Sequence, residues 1–293
     1  MSNRSLRFLT VTMAGIVLLA VVMCGCVGDQ GGEVTPTAEP TGAPVSGSLA
    51  VTGSTTVLPI AERAAEAFMD ANAEADIQVS GGGSSVGVQA VGEGTADIGM
   101  ASRELKDAEK ESYPDLVQYV VAKDGIALII NNENPAESLT VEQVRQIYTG
   151  EITNWNEVGG SDAVIVVVGR DSASGTRASF EELVMDKQEF VATMLEKNSN
   201  GAVQQTIAGT PGAIGYVGLG YVGETVKGVE IDVDGTPVEP TVENVIAGTY
   251  PISRELNMFT EGEATGLAAT YINFILSDEG QAIVEDEGFV PVA

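Results

Sequence analysis

The chain has 293 residues, enough for one large or two medium-sized domains, and its 42 acidic against 14 basic residues give a net charge of −28. Such a charge repels nucleic acid and anionic membrane surfaces, so no nucleic-acid partner is expected. Histidine, the commonest general base and metal ligand, is absent from the sequence, and both cysteines lie within the first 26 residues. We therefore expect neither a metal site nor a disulfide in the folded part of the chain.

The N-terminus has the pattern of a secretory signal. Arg4 and Arg7 precede an apolar run over residues 8–23. The run ends in Met23-Cys24-Gly25-Cys26, which resembles a lipobox and predicts a signal peptide over residues 1–26 with lipid attachment at Cys26. A plain secretory signal and an uncleaved anchor are the alternatives, although about 16 apolar residues are short for a membrane span.

Residues 27–47 predict a flexible tether. Three prolines, Pro36, Pro40 and Pro44, stand among Thr, Gly, Glu and Ala, and the segment has too few large apolar residues to form a core. As a flexible coil it would reach about 25 Å r.m.s.. A tether between a membrane signal and a folded domain predicts an extracytoplasmic protein, anchored to the outer face of the cell membrane by its N-terminal lipid.

From residue 48 onward, short apolar runs alternate with helix-like stretches. This alternation predicts an α/β architecture with largely parallel sheets. The strand-like runs are 49–51, 77–80, 97–101, 117–121, 126–131, 164–168 and 213–217. The predicted helices are 59–72, 86–93, 141–148, 178–186, 189–198, 203–208, 267–276 and 279–285.

Three turns between a strand and a helix are rich in Gly, Ser and Thr. They are Gly53-Ser54-Thr55-Thr56, Gly81-Gly82-Gly83-Ser84-Ser85 and Arg170-Asp171-Ser172-Ala173-Ser174-Gly175-Thr176. Hydroxyls and unpaired N–H groups at a helix start suit an anion, and Arg170 adds a planar fork of donors that matches a tetrahedral oxyanion. Each turn alone could be an ordinary helix cap. Because such turns lie at the carboxyl ends of strands in an open α/β sheet, the three together predict one shared anion site.

These turns resemble those of the phosphate-binding proteins of ATP-driven (ABC-type) phosphate importers. The resemblance runs from about residue 48 to the C-terminus and includes Ala96-Asp97-Ile98-Gly99-Met100-Ala101-Ser102-Arg103, Gly150-Glu151-Ile152-Thr153-Asn154-Trp155 and Gly248-Thr249-Tyr250-Pro251-Ile252-Ser253-Arg254. It implies a two-lobed, hinged α/β fold of the periplasmic-binding-protein-like type II, with the ligand in the cleft between the lobes. Lobe 1 would comprise residues 48–123 and 252–293, and lobe 2 residues 124–251.

The resemblance also implies which residues bind the ligand. Those on lobe 1 are Thr55, Thr56 and Ser84, and those on lobe 2 are Arg170, Ser174, Gly175 and Thr176. Family members often carry an Asp after the Ser that corresponds to Ser102, where it accepts the proton of hydrogen phosphate. That position is Arg103 here. Arg103 would either add positive charge to the anion site or pair with Glu104 or Asp107.

With Arg103 in this position, another group must reject sulfate, which has no proton to donate to a buried acceptor. Asp171 is the candidate proton acceptor, and its alternative role is to orient Arg170 or Arg177 through a salt bridge. The family's usual Glu-Gly before Ser-Gly-Thr is Ser172-Ala173 here, so the geometry of this turn does not carry over with the motif.

Together these features predict a monomeric receptor without catalytic residues, metal or cofactor, which captures inorganic phosphate and delivers it to the membrane permease of an ABC importer. The alternatives are a receptor for sulfate, molybdate or tungstate, a phosphate sensor that partners a membrane kinase, and a secreted Ser or Thr hydrolase. The hydrolase is least favoured. Gly83-Ser84-Ser85-Val86-Gly87 matches a nucleophile elbow, but the chain has no histidine to serve as its base.

Overall fold

The computed structural model describes residues 45–292. The predicted signal peptide, Cys26 and nearly all of the tether lie outside these residues. Within the described range, no helix combines the length and the hydropathy needed to cross a membrane. The strands are β1 (Gly47–Gly53), β2 (Ala75–Gly81), β3 (Ile98–Ala101), β4 (Leu116–Ile130), β5 (Ser138–Thr140), β6 (Val166–Arg170), β7 (Leu195–Lys197), β8 (Ala213–Gly218), β9 (Lys227–Val233), β10 (Thr236–Val238) and β11 (Ser253–Glu261). The helices are α1 (Leu58–Ala71), α2 (Ser84–Gly92), α3 (Asp107–Ser112), α4 (Val141–Thr149), α5 (Gly175–Leu183), α6 (Asn200–Ala208), α7 (Val242–Ile246), α8 (Gly266–Ile275) and α9 (Asp278–Asp286).

The strands form one mixed sheet in the order β2-β1-β3-β11-β4-β8-β6-β7, with β9 joining β4 to β5 and β10. β1 runs parallel to β2 and β3, and β6 runs parallel to β7 and β8. The centre is antiparallel, because β11 pairs with β3 and β4, and β4 pairs with β8. The expectation of largely parallel sheets is therefore wrong at the centre, where β11 brings the chain back between β3 and β4.

Strand β4 pairs with a different strand along each half of its length. Its residues up to Gly125 pair with β11, and from Ile126 onward they pair with β8. The two largest hydrophobic clusters divide at the same place. The first cluster packs α1, α8 and α9 against β1, and the second packs α4 and α5 around Trp155 and Tyr216. The predicted lobe boundary at residues 123 and 124 lies in β4 where the strand passes from one cluster to the other.

The prediction of a helix over residues 189–198 is wrong. The segment is a loop that ends in β7, which pairs in parallel with β6 from Val168↔Leu195 to Arg170↔Lys197. Phe190, Val191 and Met194 pack against the second cluster. Edge pairing and burial of these side chains outweigh the local preference for a helix.

Candidate anion-binding site

Two helices begin at residues that the sequence predicted to bind an anion. α2 begins at Ser84 after Gly83, and α5 begins at Gly175 after Ser174, whose Oγ accepts a hydrogen bond from the Arg177 amide at 3.2 Å. Gly83 has φ +99°, and a Cβ added there would lie 2.8 Å from the carbonyl oxygen of Ala173, so glycine is required. The two turns touch directly, because the Ser85 amide donates to the Ala173 carbonyl at 3.1 Å.

The two threonines of the β1–α1 turn contact residues of β6, of α5 and of the segment after β8. Arg170 Nη2 donates to Thr55 Oγ1 at 3.1 Å, and Thr56 Oγ1 lies 3.1 Å from Thr176 Oγ1. The Tyr221 hydroxyl donates to the Thr55 carbonyl at 2.6 Å. Residues more than 100 positions apart in the sequence are thus brought into hydrogen-bonding contact.

Ser84, the first residue of α2, contacts Ser102 and lies close to Gly175. Its Oγ accepts a hydrogen bond from the Ser102 amide at 3.0 Å and lies 3.4 Å from Ser102 Oγ. A Cβ at Gly175 would overlap Ser84 Oγ and lie 2.7 Å from Ser102 Oγ. The residue at 175 must therefore be glycine for α5 to approach α2. The structure thus brings together the turns that contain Thr55, Thr56, Ser84, Arg170, Ser174, Gly175 and Thr176. Binding of a ligand by these residues stays a prediction.

This group of side chains is buried and rich in unused donors. Arg170 is 1% exposed, and its Nη1 has no hydrogen-bond partner among the described residues. Ser84 and Gly175 begin their helices, so their amides have no acceptor within the helix, and no other acceptor within residues 45–292 reaches them. Buried donors without partners are costly, so this geometry favours an anionic ligand with several acceptor oxygens.

The charge of Arg170 is also unbalanced. Burial lowers the pKa of its guanidinium to about 10, although Tyr216 and Asp171 oppose the change. The side chain therefore remains protonated at neutral pH. Within the described residues no carboxylate forms an ion pair with it; its Nε and Nη2 donate to the main-chain carbonyls of Lys197 and Asn198 and to Thr55. A buried cation without a counter-ion is unfavourable and calls for a bound anion.

The terminal nitrogens of Arg103 are paired with other side chains, whereas its Nε has no hydrogen-bond partner within the described residues. Its two terminal nitrogens donate to the Glu109 carboxylate, each at 2.7 Å, and Nη2 also donates to Ser85 Oγ at 3.0 Å. Its partner is Glu109 rather than the predicted Glu104 or Asp107 carboxylates. The two carboxylate oxygens thus hold the guanidinium at the edge of the site, and a direct contact between Arg103 and the anion stays a prediction.

Asp171 shapes the turn before α5. Its side chain is half-buried, and Oδ1 accepts a hydrogen bond from the Ala173 amide at 3.2 Å. The structure gives it no salt bridge to Arg170 or Arg177; Arg177 pairs instead with Glu181 and Glu196. Its role as the proton acceptor stays a prediction.

Three buried residues at this site were not predicted from the sequence. Asn200 donates to both threonine hydroxyls, at 3.2 Å to Thr55 and 3.0 Å to Thr56. Asp124 and Arg254 form an ion pair at 2.7 Å, and Arg254 also donates to Thr56 Oγ1 at 3.4 Å. Burial raises the pKa of Asp124, although Arg254 and the Leu219 amide stabilise its charged form. For Asp124 the available signal was its place in Lys123-Asp124-Gly125, which interrupts two apolar runs.

Comparison with known proteins identifies the family of the chain. The profile of the PBP superfamily domain matches residues 38–279. The phosphate-binding protein PstS of Bacillus subtilis (strain 168) is 37% identical over 97% of this chain and 93% of its own length. The PstS of Pseudomonas aeruginosa (strain PAO1) is 30% identical over 85% of this chain and 84% of its own.

Solved structures give the same result. The phosphate ABC transporter substrate-binding protein of Clostridium perfringens, crystallised with bound phosphate, is 41% identical and superposes with a TM-score of 0.80 over 84% of this chain and all of its own. An ABC-type phosphate transport receptor from Vibrio cholerae is 33% identical, with a TM-score of 0.67 over 83% of this chain and 99% of its own. The predicted fold and family are confirmed. The chain belongs to the PBP superfamily and, within it, to the PstS phosphate-binding proteins of ABC-type transporters.

Proposed function

We propose that this protein is an extracytoplasmic receptor that captures inorganic phosphate and delivers it to the permease of an ABC importer. The observation that carries the proposal is Arg170, whose side chain is 1% exposed and whose Nη1 has no partner within residues 45–292. A bound anion with several acceptor oxygens would satisfy this donor together with the amides at the starts of α2 and α5 and would balance the buried charge. The relatives that share the fold are phosphate-binding proteins by name.

Binding would close the molecule around the anion. Lobe 1, residues 48–123 and 252–293, would contribute Thr55, Thr56 and Ser84, and lobe 2, residues 124–251, would contribute Arg170 and the turn from Ser174 to Thr176. β4 crosses the predicted boundary at residues 123 and 124, and the chain crosses it again at residues 251 and 252, just before β11, which pairs with β4. These two crossings would form the hinge. Closure removes water from the cleft, strengthens each hydrogen bond and marks the loaded state for the permease.

The receptor would act without covalent chemistry. The serine at the nucleophile position of the Gly83-Ser84-Ser85-Val86-Gly87 match is Ser85, whose Oγ accepts a hydrogen bond from Arg103 Nη2 at 3.0 Å, and Ser84 Oγ contacts the amide and hydroxyl of Ser102. Neither contact is with a general base. Lipid attachment at Cys26 would hold a monomer at the outer face of the membrane.

Selection against sulfate would require one acceptor for the phosphate proton. Asp171 is the proposed acceptor. The Ala173 amide occupies only its Oδ1, so Oδ2, which has no partner within residues 45–292, would accept the phosphate proton. Arg103 would contribute positive charge at the rim, with Glu109 holding its guanidinium in place. Sulfate, molybdate and tungstate are the alternative ligands for the same donors.

The test uses the purified chain from residue 48 onward. Unfolding of the protein as isolated should release phosphate in a 1:1 ratio, measured by a colorimetric assay. After refolding without ligand, calorimetry should give one site for phosphate and far weaker binding of sulfate, molybdate and tungstate. Absence of phosphate binding by the refolded, monodisperse protein would refute the proposal.

A further inference from the structure

Asn200 connects the two sides of the candidate site. It is the first residue of α6, it is fully buried, and Ser199 before it caps the helix by accepting the Ala202 amide at 3.1 Å. Its side chain projects between the end of β8 and the two threonines of the β1–α1 turn. The resemblance to known phosphate-binding proteins assigned no role to this residue.

The orientation of the Asn200 amide is set by the main chain. The Gly218 amide, which can only donate, lies 3.3 Å from Oδ1. Nδ2 therefore faces the threonines, 3.2 Å from Thr55 Oγ1 and 3.0 Å from Thr56 Oγ1. Because the amide nitrogen carries two hydrogens, it supplies one to each hydroxyl oxygen.

The lone pairs of Thr55 are then fully used. Its Oγ1 accepts one hydrogen bond from Asn200 and one from Arg170 Nη2 at 3.1 Å. A hydroxyl oxygen has two lone pairs, so the Thr55 hydroxyl can only donate in any further hydrogen bond.

Thr56 is constrained in the same way. Its Oγ1 accepts from Asn200 and, at 3.4 Å, from Arg254 Nη2. Its own proton must therefore point to Thr176 Oγ1, 3.1 Å away. The Thr176 hydroxyl is thereby left with its proton free to donate towards the anion.

We propose that Asn200 is a positioning residue that fixes the direction of the hydroxyl protons, so that Thr55 and Thr176 present only donors to the bound phosphate. The inference rests on the proposed function and adds a specificity rule to it. Thr55 and Thr176 therefore bind unprotonated phosphate oxygens and offer no acceptor for the proton of a P–OH group. The proton of a bound hydrogen phosphate lies on the opposite side of the anion. Fixed donors also need no reorientation when the anion arrives.

The test compares two substitutions of different size and chemistry. Asn200→Ala removes both donors and should weaken phosphate binding about tenfold, as expected for the net loss of one or two hydrogen bonds. Asn200→Asp keeps the size but turns the donors into acceptors, which would draw the threonine protons away and place a charge beside the anion. It should weaken binding by about 100-fold or more.

The order of the two effects separates positioning from packing. A residue that only fills space would tolerate Asp better than Ala, which is the reverse of our expectation. Asn131→Ala is the matched control, because Asn131 is also buried and touches α6 but donates to the main-chain carbonyls of Ile207 and Ala208. It should lower the melting temperature and leave the phosphate affinity within about twofold of the wild type.

A double-mutant cycle tests the route through the hydroxyls. In a Thr55→Val background, Asn200→Ala should cost clearly less affinity than in the wild type, because one of its two targets is gone. Equal costs, or wild-type affinity in Asn200→Asp, would overturn the inference while leaving the proposed function intact. A wild-type protein that fails to bind phosphate would refute both. If Asn200→Ala does not fold, the phosphate affinity of the isosteric Asn200→Asp variant decides the test by itself.

Discussion

Arg170 carries the proposed ligand binding at the scale of single residues. Its guanidinium is buried, is held by Thr55 and two main-chain carbonyls, and keeps one nitrogen without a partner in the described structure. Arg170→Ala should cost about 2–5 kcal/mol of phosphate binding, because the buried anion would lose its counter-charge. Calorimetry measures this loss. Arg145→Ala, which removes an arginine paired with Glu142, is the control. A loss below tenfold would remove Arg170 from the site.

Asp171 is the residue on which the proposed discrimination against sulfate depends. Asp171→Asn keeps an oxygen that can accept the Ala173 amide, so the turn should survive the substitution. Loss of the carboxylate should reduce the ratio of phosphate to sulfate affinity, because the amide NH2 that replaces the second oxygen donates and cannot accept the phosphate proton. Competition calorimetry measures the ratio. An unchanged ratio would leave Asp171 with only its role in the turn.

At the scale of secondary-structure elements, the close approach of α5 to α2 depends on Gly175. Gly175→Ala should abolish high-affinity phosphate binding, because the added Cβ would overlap Ser84 Oγ. Gly201→Ala is the matched control: Gly201 also lies in the first turn of a helix, but a Cβ there meets no atom within 4 Å. The control should bind phosphate normally and gain about 0.4–1 kcal/mol of stability. Equal affinities in the two variants would contradict the close approach.

Helix α3 is joined to the rim of the site through Arg103 and Glu109. Burial opposes the charge of Glu109, but hydrogen bonds from Arg103 and the Lys106 amide outweigh it and lower the pKa of Glu109 below its ordinary value of 4.5. A lowered folded-state pKa stabilises the protein above the unfolded-state pKa, and this contribution is lost as the pH falls through the folded-state value.

Glu109→Gln should therefore lower the melting temperature by a few degrees at pH 7, and the difference from the wild type should shrink as the pH falls below about 4. Thermal unfolding followed by circular dichroism at several pH values measures this. The exposed Glu111 on the same helix provides the control, since Glu111→Gln should show no such difference. A difference that persists undiminished to pH 2 would exclude the ionic contribution.

At the scale of the whole molecule, the acidic body opposes the arrival of its own ligand. All 42 acidic residues follow Cys26, whereas two of the 14 basic residues precede it, so the remainder carries about −30. Salt screens this field over a Debye length of about 30 Å at 0.01 M and about 10 Å at 0.1 M. The association rate constant for phosphate should therefore rise with ionic strength, whereas the dissociation rate constant should change little.

Stopped-flow fluorescence can measure both rates. The chain has no cysteine after Cys26, so Val86→Cys, at a half-exposed position beside Gly82, accepts a single dye at the edge of the site. A neutral salt such as sodium chloride serves as the variable, at constant pH. An association rate that falls with salt would mean that the local field of Arg170 dominates over the net charge.

The sequence was enough to predict the three turns, the family with its two-lobed fold, and the main strands and helices, because each depends on local patterns. Gly-Ser-Thr turns, apolar runs and helix starts are read within about ten residues. β11 was not recognised, because Ser253–Glu261 mixes polar and apolar residues and is a strand only through its pairing with β3 and β4. The loop at 189–198 was misassigned for the same reason, since β7 depends on β6.

Among the site residues, the sequence pointed to those that lie in the turns and missed those that reach them from a distance. Asn200, Asp124 and Arg254 are single polar residues whose function depends on where their elements are placed. The bonds from Asn200 to Thr55, from the Leu219 amide to Asp124 and from Arg254 to Thr56 join residues between 95 and 198 positions apart in the chain. No local pattern records such contacts.

The sequence by itself determined the acidic charge, the predicted export signal, the presence of three anion-suited turns and the family to which they belong, because these are properties of composition and of short segments. Only the tertiary structure decided which turns meet, that Arg103 pairs with Glu109, and that Asn200 donates to the hydroxyls of Thr55 and Thr56. The physical reason is that hydrogen-bond direction and burial depend on the partners that folding brings together, and these partners are distant in sequence.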